Sequence, residues 1–243
     1  MARPITIVTG GGRGIGAATC VRLARDGHDI ALGYVRDQDA AELTARQVRA
    51  QGARCVAVRA DVAEEADVDL LFDTAHAQLG APTGLVNNAG YSGPLTRLAD
   101  AETAVLRRVL DVNLLGTLFA CRRAARDMAG GGAVVNVSSG AATLGSPGEY
   151  VHYAAAKAAV DSLTLGLAKE LGPAVRVNAV APGAITTTMH ADMGDAGRAE
   201  RIGAGTPLGR PGAPEEIAAA IAWLLSDDAS YTTGAVLRVA GGR

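Results

Sequence analysis

Tyr153 and Lys157 are the two residues whose types and spacing most directly suggest chemistry. Residues four apart on a helix share one face, so the phenol and the ammonium would point into the same space. A free tyrosine has a pKa of about 10 and is a poor acid–base catalyst at neutral pH, whereas a neighbouring cation favours its phenolate. Lys157 and Lys169 are the only lysines in the chain, and a compact ammonium suits donation to both a phenol and a sugar hydroxyl. Taken alone, the spacing also fits an ordinary surface pair.

The composition is that of a soluble globular protein. The 243 residues suffice for one α/β domain with a sizeable core. With a formal net charge of −2, the chain has no excess of positive charge that would favour binding to nucleic acid or to an anionic membrane. The three cysteines, Cys20, Cys55 and Cys121, lack disulfide or metal-site spacing, which favours reduced thiols and no bound metal. Because no apolar run is long enough to span a bilayer and no signal-peptide pattern is present, we expect a cytoplasmic protein.

Short apolar runs alternate with helical patterns along the whole chain. Strands are predicted at 5–9, 30–32, 55–58, 84–87, 133–137, 175–180 and 235–239. Helices are predicted at 15–25, 38–51, 64–79, 101–111, 113–128, through Tyr153 to 171, and at 214–226. This alternation predicts a single α/β domain over 1–243, with a Rossmann-type doubly wound parallel sheet of about seven strands and helices on both faces.

Ligands of such sheets bind beyond the carboxyl ends of the strands. The least regular segment, 186–211, is rich in Gly, Thr, Met and Ala. Long loops of this kind often serve as lids, so we expect it to be the substrate-binding loop. The alternative is a plain surface excursion.

A glycine-rich turn lies between the first predicted strand and the first predicted helix. It comprises Gly10, Gly12, Arg13, Gly14, Ile15 and Gly16. Glycines there allow a tight turn and let the backbone approach a diphosphate at a helix N-terminus, where amides and the helix dipole favour anions. Such a turn can also merely connect two elements, but its placement favours a dinucleotide cofactor.

The residues after the second strand bear on the choice of cofactor. NAD is usually selected by an acid at this strand end, but the chain has Tyr34 there, followed by Val35 and Arg36. Arg36 and Arg13 are placed to bind a 2′-phosphate, because the guanidinium fork matches phosphate oxygens. NADP(H) is therefore preferred, and NAD(H) remains possible because Asp37 lies close by.

Taken together, these motifs resemble the short-chain dehydrogenase/reductase family over essentially the whole chain. The glycine turn is similar to the family's T-G-x-x-x-G-x-G cofactor loop. Asn87-Asn88-Ala89-Gly90 is similar to its N-N-A-G segment. Ser138-Ser139, Tyr153 and Lys157 match its serine and Y-x-x-x-K signature, and Asn113 matches its helix asparagine.

The resemblance also implies further cofactor contacts. The implied residues are Asp61 and Val62 at the adenine, Asn88, Ala89 and Gly90 along the cofactor, and Pro182, Gly183, Ile185 and Thr187 at the nicotinamide amide. The family also implies an assembly, usually a homotetramer formed through the helices at about 101–128 and 152–171. Small residues such as Ala154–Ala156 allow close helix contact, although they also fit packing against the chain's own sheet.

The resemblance implies a catalytic role for each of four residues. Tyr153 would be the general acid in reduction or the base in oxidation, and Lys157 would lower its pKa and bind the nicotinamide ribose. Ser139 would hydrogen-bond the substrate oxygen. Asn113 would connect Lys157 to a proton relay through a helix irregularity and a water. A capping amide and a turn hydroxyl are the alternatives for Asn113 and Ser139.

Two departures from the family pattern concern the serine and a second tyrosine. Ser139 precedes Tyr153 by fourteen residues instead of the common thirteen, which leaves Ser138 as an alternative. Tyr150 is not expected to be the catalytic tyrosine, because the residue four positions later is Ala154.

The sequence limits the substrate only to a class. The resemblance places specificity in 140–152 and 186–211, where Met189, His190 and Met193 suggest a modestly apolar wall. A small or medium ketone–secondary alcohol pair is favoured over a highly charged substrate, and a 3-oxoacyl thioester or a sugar 1-hydroxyl remains possible. The opposed function is a non-catalytic NADP(H)-binding sensor or scaffold, which would need no phenol–ammonium pair.

Overall fold

The computed structural model describes residues 3–243, and its centre is one seven-stranded parallel sheet. The strands are β1 Ile5–Val8, β2 Asp29–Tyr34, β3 Cys55–Arg59, β4 Gly84–Asn87, β5 Gly132–Val137, β6 Val175–Pro182 and β7 Val236–Val239. Their order across the sheet is β3-β2-β1-β4-β5-β6-β7, and every neighbouring pair is parallel. The order reverses between β1 and β4, which is where open α/β sheets bind their ligands.

Helices cover both faces of this sheet. The α-helices are α1 Gly14–Arg25, α2 Gln38–Arg49, α3 Glu65–Gln78, α4 Thr103–Leu110, α5 Gly116–Asp127, α6 Ala141–Leu144, α7 Val151–Leu171, α8 Met189–Asp192, α9 Arg198–Ala204 and α10 Pro214–Leu225. Phe72 of α3, Ala124 of α5 and Ala168 of α7 belong to the core on one face. Leu23 of α1 and Ile217 of α10 belong to the core on the other. The doubly wound, single-domain architecture predicted from the alternating pattern is confirmed.

The central strands read as continuous apolar runs because both of their faces are covered. All four residues of β1 and of β4 are buried, as are five of the six in β5. The polar side chains among them are paired: Asn87 Nδ2 donates to Asn136 Oδ1 at 2.9 Å, and Asn136 Nδ2 donates to Thr164 Oγ1 at 2.9 Å. This side-chain network ties β4, β5 and α7 together beneath the carboxyl edge of the sheet.

Two stretches differ from the sequence expectation. The segment 186–211 contains two short helices, α8 and α9, where an irregular loop was expected. A short helix, α6, also lies between Ser139 and Tyr153. Within residues 3–243 no helix combines the length and apolarity needed to span a bilayer.

Candidate active site

A cleft at the carboxyl edge of the sheet collects three of the four predicted catalytic residues, Ser139, Tyr153 and Lys157. Ser138 and Ser139 follow directly from β5, and Pro182 ends β6. Tyr153 and Lys157 lie on the first two turns of α7, and all five residues line the same cleft. The strand ends and one helix face therefore converge on one space, as the four-residue spacing of the phenol and the ammonium predicted.

Tyr153 is buried, and its surroundings favour the protonated phenol. Its ring packs edge-on against Tyr150, with ring centroids 5.3 Å apart. Burial raises the pKa of Tyr153 well above its ordinary value, Tyr150 adds to this rise, and a hydrogen bond with Ser139 opposes it.

Lys157 is buried as well, with only 3% of its surface exposed. Its Nζ donates to the Val137 carbonyl at 2.8 Å and lies 5.7 Å from the centroid of the Tyr153 ring. Burial lowers the pKa of Lys157 to about 8, and Asp161, one turn further along α7, counteracts this. Burial dominates the shift of the Tyr153 pKa, and the Lys157 ammonium is bonded to the Val137 carbonyl, so the lowering of the Tyr153 pKa by Lys157 stays a prediction.

The structure separates the two serines. Ser138 is 2% exposed and its hydroxyl donates to the Lys157 carbonyl at 3.4 Å. Ser139 is half-buried, hydrogen-bonds with Tyr153, and accepts from the Ala141 amide at 3.1 Å. The segment between Ser139 and Tyr153 contains α6 and turns at Gly145 and Gly148, both of which have positive φ. Ser139 is thus the serine beside the phenol.

Asn113 lies in a π-helical turn, Asp111–Leu115, between α4 and α5. Such insertions frequently mark functional sites. The fully buried side chain donates to the Tyr91 carbonyl at 2.6 Å and to the Val109 carbonyl at 2.8 Å, and it accepts from the Tyr91 amide at 3.3 Å. The helix irregularity that the resemblance implied is present, but among residues 3–243 the amide of Asn113 makes no direct hydrogen bond to Lys157.

The glycine turn has a shape that only glycine allows. Gly10 and Gly14 have φ values of +64° and +55°. A Cβ on Gly16 would lie 2.2 Å from the Gly10 carbonyl oxygen, so no other residue fits there without a backbone shift. Asn88 fixes the turn, because its Nδ2 donates to the carbonyls of Thr9 and Gly10 at 3.0 Å each.

The N-terminus of α1 fits a diphosphate. Helix α1 starts at Gly14 with no acidic residue in its first turn and, among residues 3–243, no side chain capping its first amides. Such amides attract an anion. Gly12, Gly14, Ile15 and Gly16 would present backbone, not side chains, to that anion.

The four residues that bear on cofactor choice differ in their hydrogen bonds and in their exposure. Asp37 accepts from the Ala40 amide at 2.9 Å and caps α2, so its carboxylate already has a local role. Arg36 is exposed just beyond β2. Arg13 donates to Asp192 of α8 at 2.7 Å, which links the glycine turn to the segment 186–211. Tyr34, at the end of β2, is half-buried.

The remaining predicted cofactor contacts follow the carboxyl ends of β3, β4 and β6. Asp61 pairs with Arg108 at 2.6 Å, and Val62 is buried against Gly116. The other predicted contacts follow β4 or β6: Asn88, Ala89 and Gly90 after β4, and Pro182, Gly183, Ile185 and Thr187 at the end of β6. The structure thus brings these residues to one edge of the sheet.

Sequence reasoning missed two residues in the wall of the cleft, Arg198 and Tyr150, whereas His190 was expected there. Arg198 of α9, Tyr150 and His190 line the cleft, and Arg198 is 4% exposed. Arg198 is separated from the exposed Arg201 by only two residues, and no pattern in 186–211 distinguishes the buried arginine from the exposed one. Knowledge of the bounds and orientation of α9 would have been needed to find it.

The sheet order, the glycine turn and the serine–tyrosine–lysine cluster define a dinucleotide-binding oxidoreductase fold. A family model described as "Enoyl-(Acyl carrier protein) reductase" matches residues 10–243. The uncharacterized oxidoreductase YgfF of Escherichia coli K12 is 44% identical over 246 residues, covering 98% of this chain and 99% of its own length. The chain belongs to the short-chain dehydrogenase/reductase family and is an oxidoreductase.

Solved structures agree in fold. A short-chain dehydrogenase/reductase of Serratia marcescens superimposes with a TM-score of 0.93 at 36% identity, covering 99% of this chain and 98% of that one. A blue fluorescent protein from a metagenomic library, solved in complex with NADPH, gives a TM-score of 0.91 at 36% identity with the same coverage.

Proposed function

We propose that the protein is an NADP(H)-dependent oxidoreductase that interconverts a ketone and a secondary alcohol. One observation supports this above all others: Ser139, Tyr153 and Lys157 meet in a cleft that the glycine turn borders. A sensor that only bound the nucleotide would not need a buried phenol beside a buried ammonium.

The chain's own residues would act on the substrate oxygen. Ser139 would donate a hydrogen bond to the carbonyl oxygen and polarise it, and Tyr153 would give it a proton. Its raised pKa keeps Tyr153 protonated for this step. When bound, the nicotinamide supplies or accepts the hydride. Lys157 would bind the nicotinamide ribose and, in oxidation, stabilise the phenolate by its charge. Asn113 would hold the π-helical turn in place through its bonds to the Tyr91 and Val109 carbonyls.

A turnover assay tests this function. We expect the purified protein to oxidise NADPH with members of a panel of ketones, 3-oxoacyl thioesters and quinones, or to reduce NADP⁺ with sugars. Tight NADPH binding without turnover of any panel member would instead support the sensor function.

Preference for NADP(H) follows from the charges around the adenosine ribose. Arg36 is exposed beyond β2, Asp37 is used as a helix cap, and a structural relative is solved with NADPH. We expect Arg36→Ala to lower kcat/KM for NADPH by about tenfold. The kcat/KM for NADH should stay within about twofold of the wild-type value, because only the 2′-phosphate loses its partner. The measurement is the NADPH:NADH ratio of kcat/KM.

The control for this prediction is Arg46→Ala, which removes an exposed arginine from α2. Its NADPH:NADH ratio should equal that of the wild type. A wild-type ratio below one would contradict the proposed preference and point to NAD(H).

We also propose a homotetramer assembled through α4, α5 and α7. Leu110, Leu118 and Leu165 of these helices are 42%, 36% and 48% exposed. On α7, Ala155 and Ala158 are exposed on the same helix and allow close approach of a second copy. Light scattering should give four times the mass of the 243-residue chain, and a monomeric mass at working concentration would contradict this.

A further inference from the structure

A buried cation lies in the wall of the cleft, close to the catalytic phenol. The guanidinium carbon of Arg198 stands 5.1 Å from the ring centroid of Tyr150. Tyr150 in turn packs edge-on against Tyr153. One tyrosine ring therefore separates the guanidinium from the residue that faces the substrate oxygen.

The hydrogen bonds of Arg198 are incomplete. Its Nη2 donates to the Glu149 carboxylate and, at 2.9 Å, to the Tyr150 hydroxyl. Its Nε is buried and has no acceptor within the described part of the chain. A guanidinium has five N–H donors, and buried donors in folded proteins are almost always paired. An acceptor from a bound molecule would complete the site.

His190 supplies a second polar atom without a partner. Its Nδ1 is buried and makes no hydrogen bond to any residue in 3–243. Burial and, next, the charge of Arg198 lower the pKa of His190, while a backbone hydrogen bond with Ile185 opposes this shift. Both side chains line the cleft, and both belong to 186–211.

We propose that Arg198, with His190 beside it, forms an anion subsite, so that the substrate is an oxo acid or hydroxy acid with a carboxylate about one ring's width from the reacting carbon. This proposal rests on the proposed function and names its substrate class. A planar carboxylate matches the guanidinium fork. The half-exposed Glu149 already offsets part of the charge, which favours a single negative charge over a phosphate dianion. The wall is thus less uniformly apolar than its sequence indicates.

The test compares acids with matched neutral compounds. The substrates are 4-oxopentanoate, 5-oxohexanoate and 6-oxoheptanoate, each paired with its primary amide, which has the same shape and no charge. In the wild type, at least one acid should exceed its amide by about tenfold or more in kcat/KM with NADPH. Calorimetric titration of acid and amide into the protein with NADP⁺ should show the same preference in affinity.

Variants then assign the preference to Arg198. In Arg198→Gln the acid:amide ratio should fall to near one, and Arg198→Lys should retain part of it. Arg201→Gln is the matched control, because Arg201 lies on the same helix, is exposed and pairs with Asp195. Its ratio should equal that of the wild type.

Two results would overturn the subsite: equal kcat/KM and equal affinity for every acid and its amide in the wild type, or an unchanged ratio in a folded Arg198→Gln. The comparison of each acid with its amide in the wild-type protein tests the subsite even if the Arg198→Gln variant does not fold. Turnover of the amides without any acid preference would leave the oxidoreductase function standing while the subsite fails. Calorimetric acid preference without turnover of any ketone would support the subsite while the proposed reaction fails.

Discussion

Tyr153→Phe should lower kcat/KM by about 10³-fold or more while NADPH binding stays within about twofold. The substitution removes one hydroxyl from a buried ring and leaves its edge-on contact with Tyr150 in place. The lost hydroxyl is the one that hydrogen-bonds with Ser139. The measurements are steady-state kinetics with the best ketone and fluorescence titration with NADPH.

The control for this change is Tyr231→Phe, which removes the hydroxyl of a fully exposed tyrosine. Its kinetics should match those of the wild type. Retained turnover in Tyr153→Phe would remove the phenol from the mechanism. A parallel loss of NADPH binding would instead indicate that the hydroxyl supports the cofactor and not the proton transfer.

Sequence predicts well those parts of the fold in which the structure permits only one kind of residue or one arrangement. A strand covered on both faces must be largely apolar, as β1 is with Thr6 as its one polar residue. A turn in which a Cβ meets backbone at 2.2 Å must have glycine, as at Gly16. The four-residue spacing of Tyr153 and Lys157 fixes a shared helix face whatever the surroundings.

The parts that sequence did not predict depend on long-range burial. The pKa of Tyr153 is set by how deeply the ring is buried, and neither motif nor spacing carries that information. Arg13 was expected to be available for a 2′-phosphate, but it pairs with Asp192, 179 residues away. Both are tertiary effects that only the assembled fold determines.

Lys157→Met should lower kcat/KM by about 10²-fold or more and weaken NADPH binding. Methionine matches the length of the lysine stem, so the loss is mainly that of the ammonium, its bond to the Val137 carbonyl, and its charge near the phenol. Lys169→Met is the matched control: the chain's other lysine lies on the same helix and is exposed, so its kinetics should be those of the wild type.

The same lysine predicts a pH dependence whose sign is set by its lowered pKa. With a pKa of about 8, Lys157 loses its charge as pH rises above that value, well below the point at which an exposed lysine would. Wild-type kcat/KM for ketone reduction should therefore decline above about pH 8. Lys157→Arg keeps a charge that does not titrate in this range, so its profile should be flat there. An identical decline in Lys157→Arg would show that another group titrates and that Lys157 does not set the pH dependence.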